Sequence, residues 1–506
     1  MSDAPEGLQF PLDEEHQRIS TSRTGQQILS EALALVDNKA SQDVLKEKNW
    51  RKKYPRYFKA MVEHGIRLRE NPVKIAEHGL QKAHQLFEFY RDGSKVSLKD
   101  FMDIPHIHRL YSVTIKGQST QAPEWYIPYQ GQKLQGQTLL NQLERWEQQG
   151  IIEPSHAQAL RTVHAHPEWL DLSDRTLVLF GAGSEAGPLT WLSKWKANIV
   201  AVDLPSEKVW TRILNTIRQG NATLIAPSNQ RLTQTDQIAE NLGANLLTQT
   251  PEIAQWLAEM PKHLDLAAIA YLDGEKHVRV AMAMDAIMQY VSTKKPDSSL
   301  MFMCTPTDIY AVPHQVMARA QQKVKQCSSL EKLLAKGISR LTIHRFLKPH
   351  THQLIRADNG KDYSIADCLV LEQGPNYALA KRIQQWRATV AREQGQHVCI
   401  NIAPSTTTHS VTKNPLLKAA FAGAHLFDVE AFEPETTNAI MAAMWIHDLR
   451  NPDALANPQN TLDHPLELMM DGANHGGLWN AAYLVRTALP FSAIYGLVKE
   501  KLSFKR

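Results

Sequence analysis

The chain of 506 residues predicts an α/β fold: a doubly wound, mostly parallel sheet, with a helical N-terminal accessory segment and a C-terminal cap. Three observations predict it. From residue 174 to about 402, short β-branched or leucine-rich runs alternate with amphipathic helical stretches. These runs are apolar throughout, as strands covered on both faces are. One of them leads straight into a glycine-rich turn closed by Pro188, a residue suited to the first turn of a helix.

Composition narrows the function classes. Lys plus Arg exceeds Asp plus Glu by only four, so the charge balance calls for neither nucleic acid nor an acidic surface. Cys304, Cys327, Cys368 and Cys399 are scattered and form no CxxC pair, which fits free thiols in a reducing, cytoplasmic setting. The N-terminus is polar and acidic, unlike a secretion signal. No stretch reaches the ~18 apolar residues of a membrane span. Residues 488–498 come nearest, but they contain Pro490 and Gly496 and lead to Lys499, Lys501, Lys505 and Arg506. Such a basic amphipathic tail allows weak contact with a membrane surface, although docking against the protein body is the simpler expectation.

Along the chain, residues 1–172 read as a mainly helical accessory region. Basic residues between Lys46 and Arg56 interleave with Trp50, Tyr54 and Tyr57, a texture found in single-strand nucleic-acid binders. Here Tyr57, Phe58, Met61, Val62 and Ile66 keep helical spacing, so the aromatics are expected in a core. Residues 109–116 alternate and read as a strand. His106 and His108 precede it, and no second cluster completes a metal site. Residues 173–448 form the central domain, with strands at 176–180, 199–202, 223–226, 264–271, 300–304, 369–371 and 398–402. Residues 449–506 make the cap, entered through a polar linker at 451–460.

The glycine-rich turn carries the functional reading. Strand 176–180 runs into Gly181-Ala182-Gly183-Ser184-Glu185-Ala186-Gly187. The first glycine permits a tight turn, the second lets a pyrophosphate approach the backbone, and the third lets a helix pack on the strand. Free amides and the positive end of the following helix then suit an anion. The second strand ends in Asp203, 22 residues after Gly181. A carboxylate there accepts hydrogen bonds from an adenosine ribose and repels a 2′-phosphate, favouring NAD; Lys208 and Arg212 nearby keep NADP open.

On Gly181, Gly183, Gly187 and Asp203 the domain resembles the Rossmann-fold NAD(P)-binding oxidoreductases and is distantly similar to the short-chain dehydrogenases. The resemblance covers about residues 175–320 and leaves both ends unexplained. It implies that Ser184 and Glu185 share in holding the cofactor, that Thr248 and Gln249 stand near an adenine, and that Tyr271 stands near the nicotinamide ribose. It also implies that Thr305-Pro306-Thr307 occupies the place of the family's catalytic serine. The family's Tyr-x-x-x-Lys is expected after that strand. Tyr290 and Lys294 have the spacing but precede it, while Tyr310 is followed four residues later by His314.

The resulting expectation is an NAD(P)-dependent oxidoreductase, acting on a small alcohol or carbonyl substrate as a homo-oligomer. Tyr310 polarises the substrate oxygen, Thr305 or Thr307 is its partner, and His314 or His475 relays the proton. Two alternatives share the glycine loop and the acid: an S-adenosylmethionine-dependent methyltransferase and a non-catalytic dinucleotide-binding protein. Three further segments stand at loop positions suited to a site: Ser405–His409 with Lys413, Gly374-Pro375-Asn376-Tyr377, and Asp471 to Gly477 around His475. Each equally suits a turn or a helix start.

Overall fold

The computed structural model describes residues 6–13, 18–104, 108–232, 238–261, 263–326, 346–351 and 353–503. His106, Cys327, Lys505 and Arg506 lie outside the described residues. At the centre is a seven-stranded sheet: β1 (Tyr111–Lys116), β2 (Thr176–Phe180), β3 (Asn198–Val202), β4 (Thr223–Ser228), β5 (Asp265–Ala268), β6 (Ser299–Cys304) and β7 (Val398–Ile402). Across the sheet the order is β7-β6-β5-β2-β3-β4-β1. Strands β2 to β7 pair in parallel, and β1 closes one edge antiparallel to β4. Counted from β2, the parallel strands therefore run 3-2-1-4-5-6. The winding reverses between β2 and β5, and in open sheets ligands sit beyond the carboxyl ends of the strands at such a point.

The apolar runs alternate after all, but between two cores. Val178, Phe180, Val200 and Val202 face one hydrophobic cluster, while Leu177, Leu179, Ile199 and Ala201 face the other. Helices Thr250–Ala258, Glu275–Lys294 and Gly374–Glu393 contribute to the first core, together with the helices of residues 21–86. Helices Glu207–Gln219, Pro434–Arg450, Gly136–Gln148 and Pro154–Ala165 contribute to the second. Period-2 side-chain alternation thus leaves residues 177–180 of β2 and 199–202 of β3 apolar at every position, since both faces are dry there. The aromatic residues Trp50, Tyr54, Tyr57 and Phe58 are buried in the first core, as their helical spacing predicts.

Three details depart from expectation. Residues 369–371 are not a strand; the strand is Asp362–Asp367, in a separate antiparallel sheet with Ile309–Pro313 and Ile355–Arg356. Three apolar residues alone fix no ladder, and Leu369 and Val370 are buried as an extended connection. The strand expected at 264–271 keeps only Asp265–Ala268, since its end opens into a cleft. The helix expected after Pro188 is a single turn, Leu189–Leu192. A turn that short carries little of a helix dipole.

One buried carboxylate joins the layers of the first core. Asp285, on helix Glu275–Lys294, accepts hydrogen bonds from Arg387 Nε (2.6 Å) and Nη2 (2.9 Å). Its Oδ2 also lies 2.6 Å from His84 Nε2 on helix Asn71–Leu86. Burial alone raises the pKa of such a group, but Arg387 and His84 outweigh burial and hold Asp285 well below the usual carboxylate range. The stability this contributes is complete above the ordinary carboxylate pKa and is lost as pH falls well below it. Removing the guanidinium strands a charge in the core. Arg387→Ala is expected to lower unfolding stability by about 3–5 kcal/mol in urea melts. The double change Asp285→Leu with Arg387→Met is expected to cost less than Arg387→Ala alone.

Candidate functional site

A cleft of about 1370 Å³ opens at the carboxyl ends of β2, β3, β5, β6 and β7. Its first wall is the glycine turn. Gly181 has φ +84°, and a Cβ there would stand 2.6 Å from the Ala270 Cα, so only glycine fits between β2 and the end of β5. A Cβ at Gly183 would stand 2.8 Å from the Arg212 guanidinium and 3.1 Å from Asp203 Oδ2. Asp203 pins this turn: it accepts from Gly183 N at 2.7 Å and from Leu204 N at 2.8 Å. Burial raises the pKa of Asp203, with these amides and Arg212 opposing. Arg212 also donates to the Gly183 carbonyl. Ser184, Glu185 and Ala186 line the cleft, and the amides of Glu185 and Ala186 meet no acceptor among the described residues. Glu185 ties the turn to the far wall by accepting from His409 N at 2.9 Å.

Of the residues read from the sequence, Gly181, Gly183, Ser184, Glu185, Asp203, Tyr271, Thr248, Thr305 and Thr307 all line this one cleft. Ser405, Thr406, Thr408, His409 and Lys413 line it too. Gly187 stands behind it, packed on Ile269. Lys208 and Gln249 are not among the lining residues.

Tyr310 and His475 are not brought to the cleft. Tyr310 is 2% exposed, and its hydroxyl donates to the Thr305 carbonyl at 2.6 Å. The same hydroxyl accepts from Gln385 Nε2 at 3.3 Å, so Tyr310 meets the site through the Thr305 backbone and this helix contact rather than by facing the cleft. His475 is fully buried; its Nε2 lies 3.1 Å from Glu153 Oε1, and its ring stacks on Trp479 at 4.8 Å. His314 Nδ1 instead meets Ser364 Oγ at 2.9 Å, in the small antiparallel sheet. The glycines at 472, 476 and 477 turn the backbone with φ +62°, +61° and +91°, and Gly472 holds His156 through its carbonyl at 2.8 Å.

The cleft holds a group that the sequence reading missed. Tyr377 and Lys381 stand four residues apart on helix Gly374–Glu393 and both line the cleft. Four Tyr-x-x-x-Lys pairs occur in the chain: 129/133, 290/294, 377/381 and 495/499. Spacing alone does not choose among them, but only the pair at 377/381 lines the cleft. Burial pushes the Tyr377 phenol up to about 12, with the Thr305 side chain offsetting part of this by a hydrogen bond. Lys381 donates to the Met303 carbonyl at 3.1 Å, and burial lowers its pKa. Thr305 Oγ1 and Thr307 Oγ1 are 2.8 Å apart, and Thr307 donates to Gln373 Oε1 at 2.9 Å.

Behind Tyr377 lies His277, 1% exposed yet lining the cleft. Its ring stacks on Tyr377 at 5.4 Å and meets Tyr271 at 4.7 Å. Among the described residues neither ring nitrogen has a hydrogen-bond partner, and burial drives its pKa well below the ordinary value. A neutral imidazole with both nitrogens unused weakens the core it sits in. His277→Phe is therefore expected to leave the unliganded protein as stable or up to about 1 kcal/mol more stable, read by thermal melting. A loss of several kcal/mol would mean that the imidazole has a partner in the free protein.

No family model matches the chain, and no curated protein matches it. Among solved structures it is similar to the terminal R domain from the myxalamid PKS-NRPS biosynthetic pathway. The match has 15% sequence identity and a TM-score of 0.29, and covers 53% of this chain and 62% of that one. No helix among the described residues is long and apolar enough to cross a membrane. Cys304, Cys368 and Cys399 are free and buried.

Proposed function

We propose that the protein is a nicotinamide-dinucleotide-dependent reductase of the short-chain-dehydrogenase kind, acting on a carbonyl substrate. One observation carries this reading: Thr305, Tyr377 and Lys381 come together in the same cleft that begins at the glycine turn and Asp203. A methyltransferase makes no use of a Thr-Tyr-Lys group. The parallel strand order, which reverses between β2 and β5 at the glycine turn, supports the same reading.

The residues present fit a dinucleotide. Gly181 and Gly183 leave no room for a Cβ because Ala270, Arg212 and Asp203 fill that side, which holds the turn close against β5 and the acid. The unpaired amides of Glu185 and Ala186, with the Ser184 hydroxyl, would hold the phosphates. Asp203 would accept from the adenosine ribose through its remaining lone pairs, and Thr248 lies where an adenine would rest. Tyr271, His277 and Lys381 would surround the nicotinamide ribose, giving the unused imidazole a partner. NAD would be the favoured form, since the Asp203 carboxylate would meet the ribose and repel a 2′-phosphate; Arg212 beside it keeps NADP within reach. Bound there in reduced form, the cofactor supplies a hydride.

The chain's own residues handle the proton. Tyr377, with its phenol pushed up to about 12, keeps its proton across the physiological range and is poised to give it to a carbonyl oxygen. Thr305, hydrogen-bonded to Tyr377, fixes the direction of that hydroxyl. Thr305 is held in turn by Thr307, whose hydroxyl donates to Gln373 Oε1. Tyr310 positions Thr305 by holding its carbonyl. Lys381 favours any negative charge that develops on Tyr377 as the proton leaves.

Thermal melting with NAD, NADP, their reduced forms and S-adenosylmethionine tests the cofactor. At a hundred times its dissociation constant, a ligand of the folded state adds ~2.7 kcal/mol of stability. A shift with a nicotinamide dinucleotide, weakened by Asp203→Ala, is the expected result; a shift with S-adenosylmethionine alone would refute the reading. Tyr377→Phe separates catalysis from binding. It is expected to keep the melting shift and to lower turnover of a carbonyl substrate by about 10²–10⁴-fold. Tyr310→Phe is expected to lower turnover far less, since its hydroxyl lies outside the cleft, between the Thr305 carbonyl and Gln385 Nε2.

A further inference from the structure

The cleft is larger than one ligand needs: small-molecule pockets commonly run to about 300–1,000 Å³, and this one measures about 1370 Å³. Its chemistry is also divided along the chain. Every charged residue that lines it, from Arg51 through Asp203 and Lys381 to Lys413, comes before residue 415. Fourteen lining residues come after Asn414, and none of them is charged. Most are aliphatic or phenylalanine, among them Leu417, Phe421, Phe427, Leu478, Val485 and Leu489. The exceptions by hydroxyl are Tyr483 and Ser492, and the Ser492 hydroxyl is already spent on the Ala420 carbonyl at 2.5 Å.

Two helices supply half of this apolar wing, Pro415–Ala422 and Val485–Ser503. They cross without space for a methyl group: a Cβ on Gly423 or Gly496 would stand 2.0 Å from a carbonyl oxygen of the other helix. Ala419, Ala420 and Ala493 fill the seam. The small residues thus hold the backbones together, while Leu417, Phe421 and Leu489 line the cleft. Water in such a wing has few polar partners, so displacing it with an alkyl group is favourable.

We infer that the substrate carries an extended apolar chain, which lies in this wing with its carbonyl group at Tyr377 and Thr305. The inference rests on the reductase reading for the position of the reacting end and adds the class of substrate. The charged wing takes the dinucleotide, and the uncharged wing takes a long aliphatic ketone or aldehyde. A polar or multiply charged substrate such as a sugar phosphate has no partner there.

Calorimetric titration of the full chain with straight-chain methyl ketones, from butanone to undecanone, tests this directly. Affinity is expected to rise by roughly threefold to fourfold for each added methylene, with a negative heat-capacity change, until the wing is filled. Leu489→Glu is expected to flatten that dependence, and Phe421→Ala to weaken it where the charged variant does not fold. Affinity independent of chain length, or an unchanged dependence in the folded variants, would overturn the inference. Melting of the same variants with NAD reads the other wing. A retained chain-length dependence without any dinucleotide shift would defeat the reductase reading and leave the apolar wing standing. The reverse would defeat only the wing.

Discussion

A charge placed in the core must be met from every side, and Asp285 sets that constraint for this fold. Its two oxygens are held by Arg387 and His84, so three helices from distant parts of the chain share one fixed point. One of them, Gly374–Glu393, carries Tyr377 and Lys381 at its other end. Another, Glu275–Lys294, carries His277. The relative placement of these three side chains follows from how the two helices are clamped, since neither helix can slide along its neighbour without separating the charges. A second buried group repeats the device closer to the cleft: Asp308 accepts from Arg382 at 3.1 Å and from Gln385 at 2.9 Å. Buried polar groups of this kind specify one arrangement where apolar packing alone tolerates several.

The electrostatics of the centre follow from dryness more than from any single neighbour. Burial is the first cause of the shifts on Tyr377, Lys381, Cys304 and His277 alike, and each moves toward its uncharged form. Dryness thus favours the uncharged forms of Tyr377, Cys304 and His277 and weakens the hold of Lys381 on its proton. Asp203 obeys the same rule at the entrance, where burial raises its pKa against the pull of two amides and Arg212.

Much of the fold was legible because its signals are local. Four apolar residues before Gly181 and an acid after β3 are read from neighbours in sequence, and the structure puts Gly181 and the acid at one cleft. The sheet order was not legible, since nothing in a strand names its partners. The reacting group was missed for a physical reason. The tyrosine and lysine were sought just beyond β6, whereas Ile309–Pro313, Asp362–Asp367 and the helix His314–Gln326 intervene before helix Gly374–Glu393 begins. Tyr310 offered itself by position, but it stands in a strand with buried neighbours on both sides, Ile309 and Ala311. The segment around Gly374 was marked as a rim; the helix face that follows, with Tyr377 and Lys381 one turn apart, was the signal available.

That intervening segment sets an order on how the molecule comes together. The glycine turn and Asp203 belong to adjacent strands and need only a short loop to close between them. Thr305 and Tyr377 meet only after the chain between them has folded back on itself, a closure whose entropy must be met before any contact repays it. A nascent or partly unfolded chain would thus regain the glycine turn first and the meeting of Thr305 with Tyr377 last. Damage confined to the small antiparallel sheet would leave the glycine turn and Asp203 in place and draw Thr305 away from Tyr377.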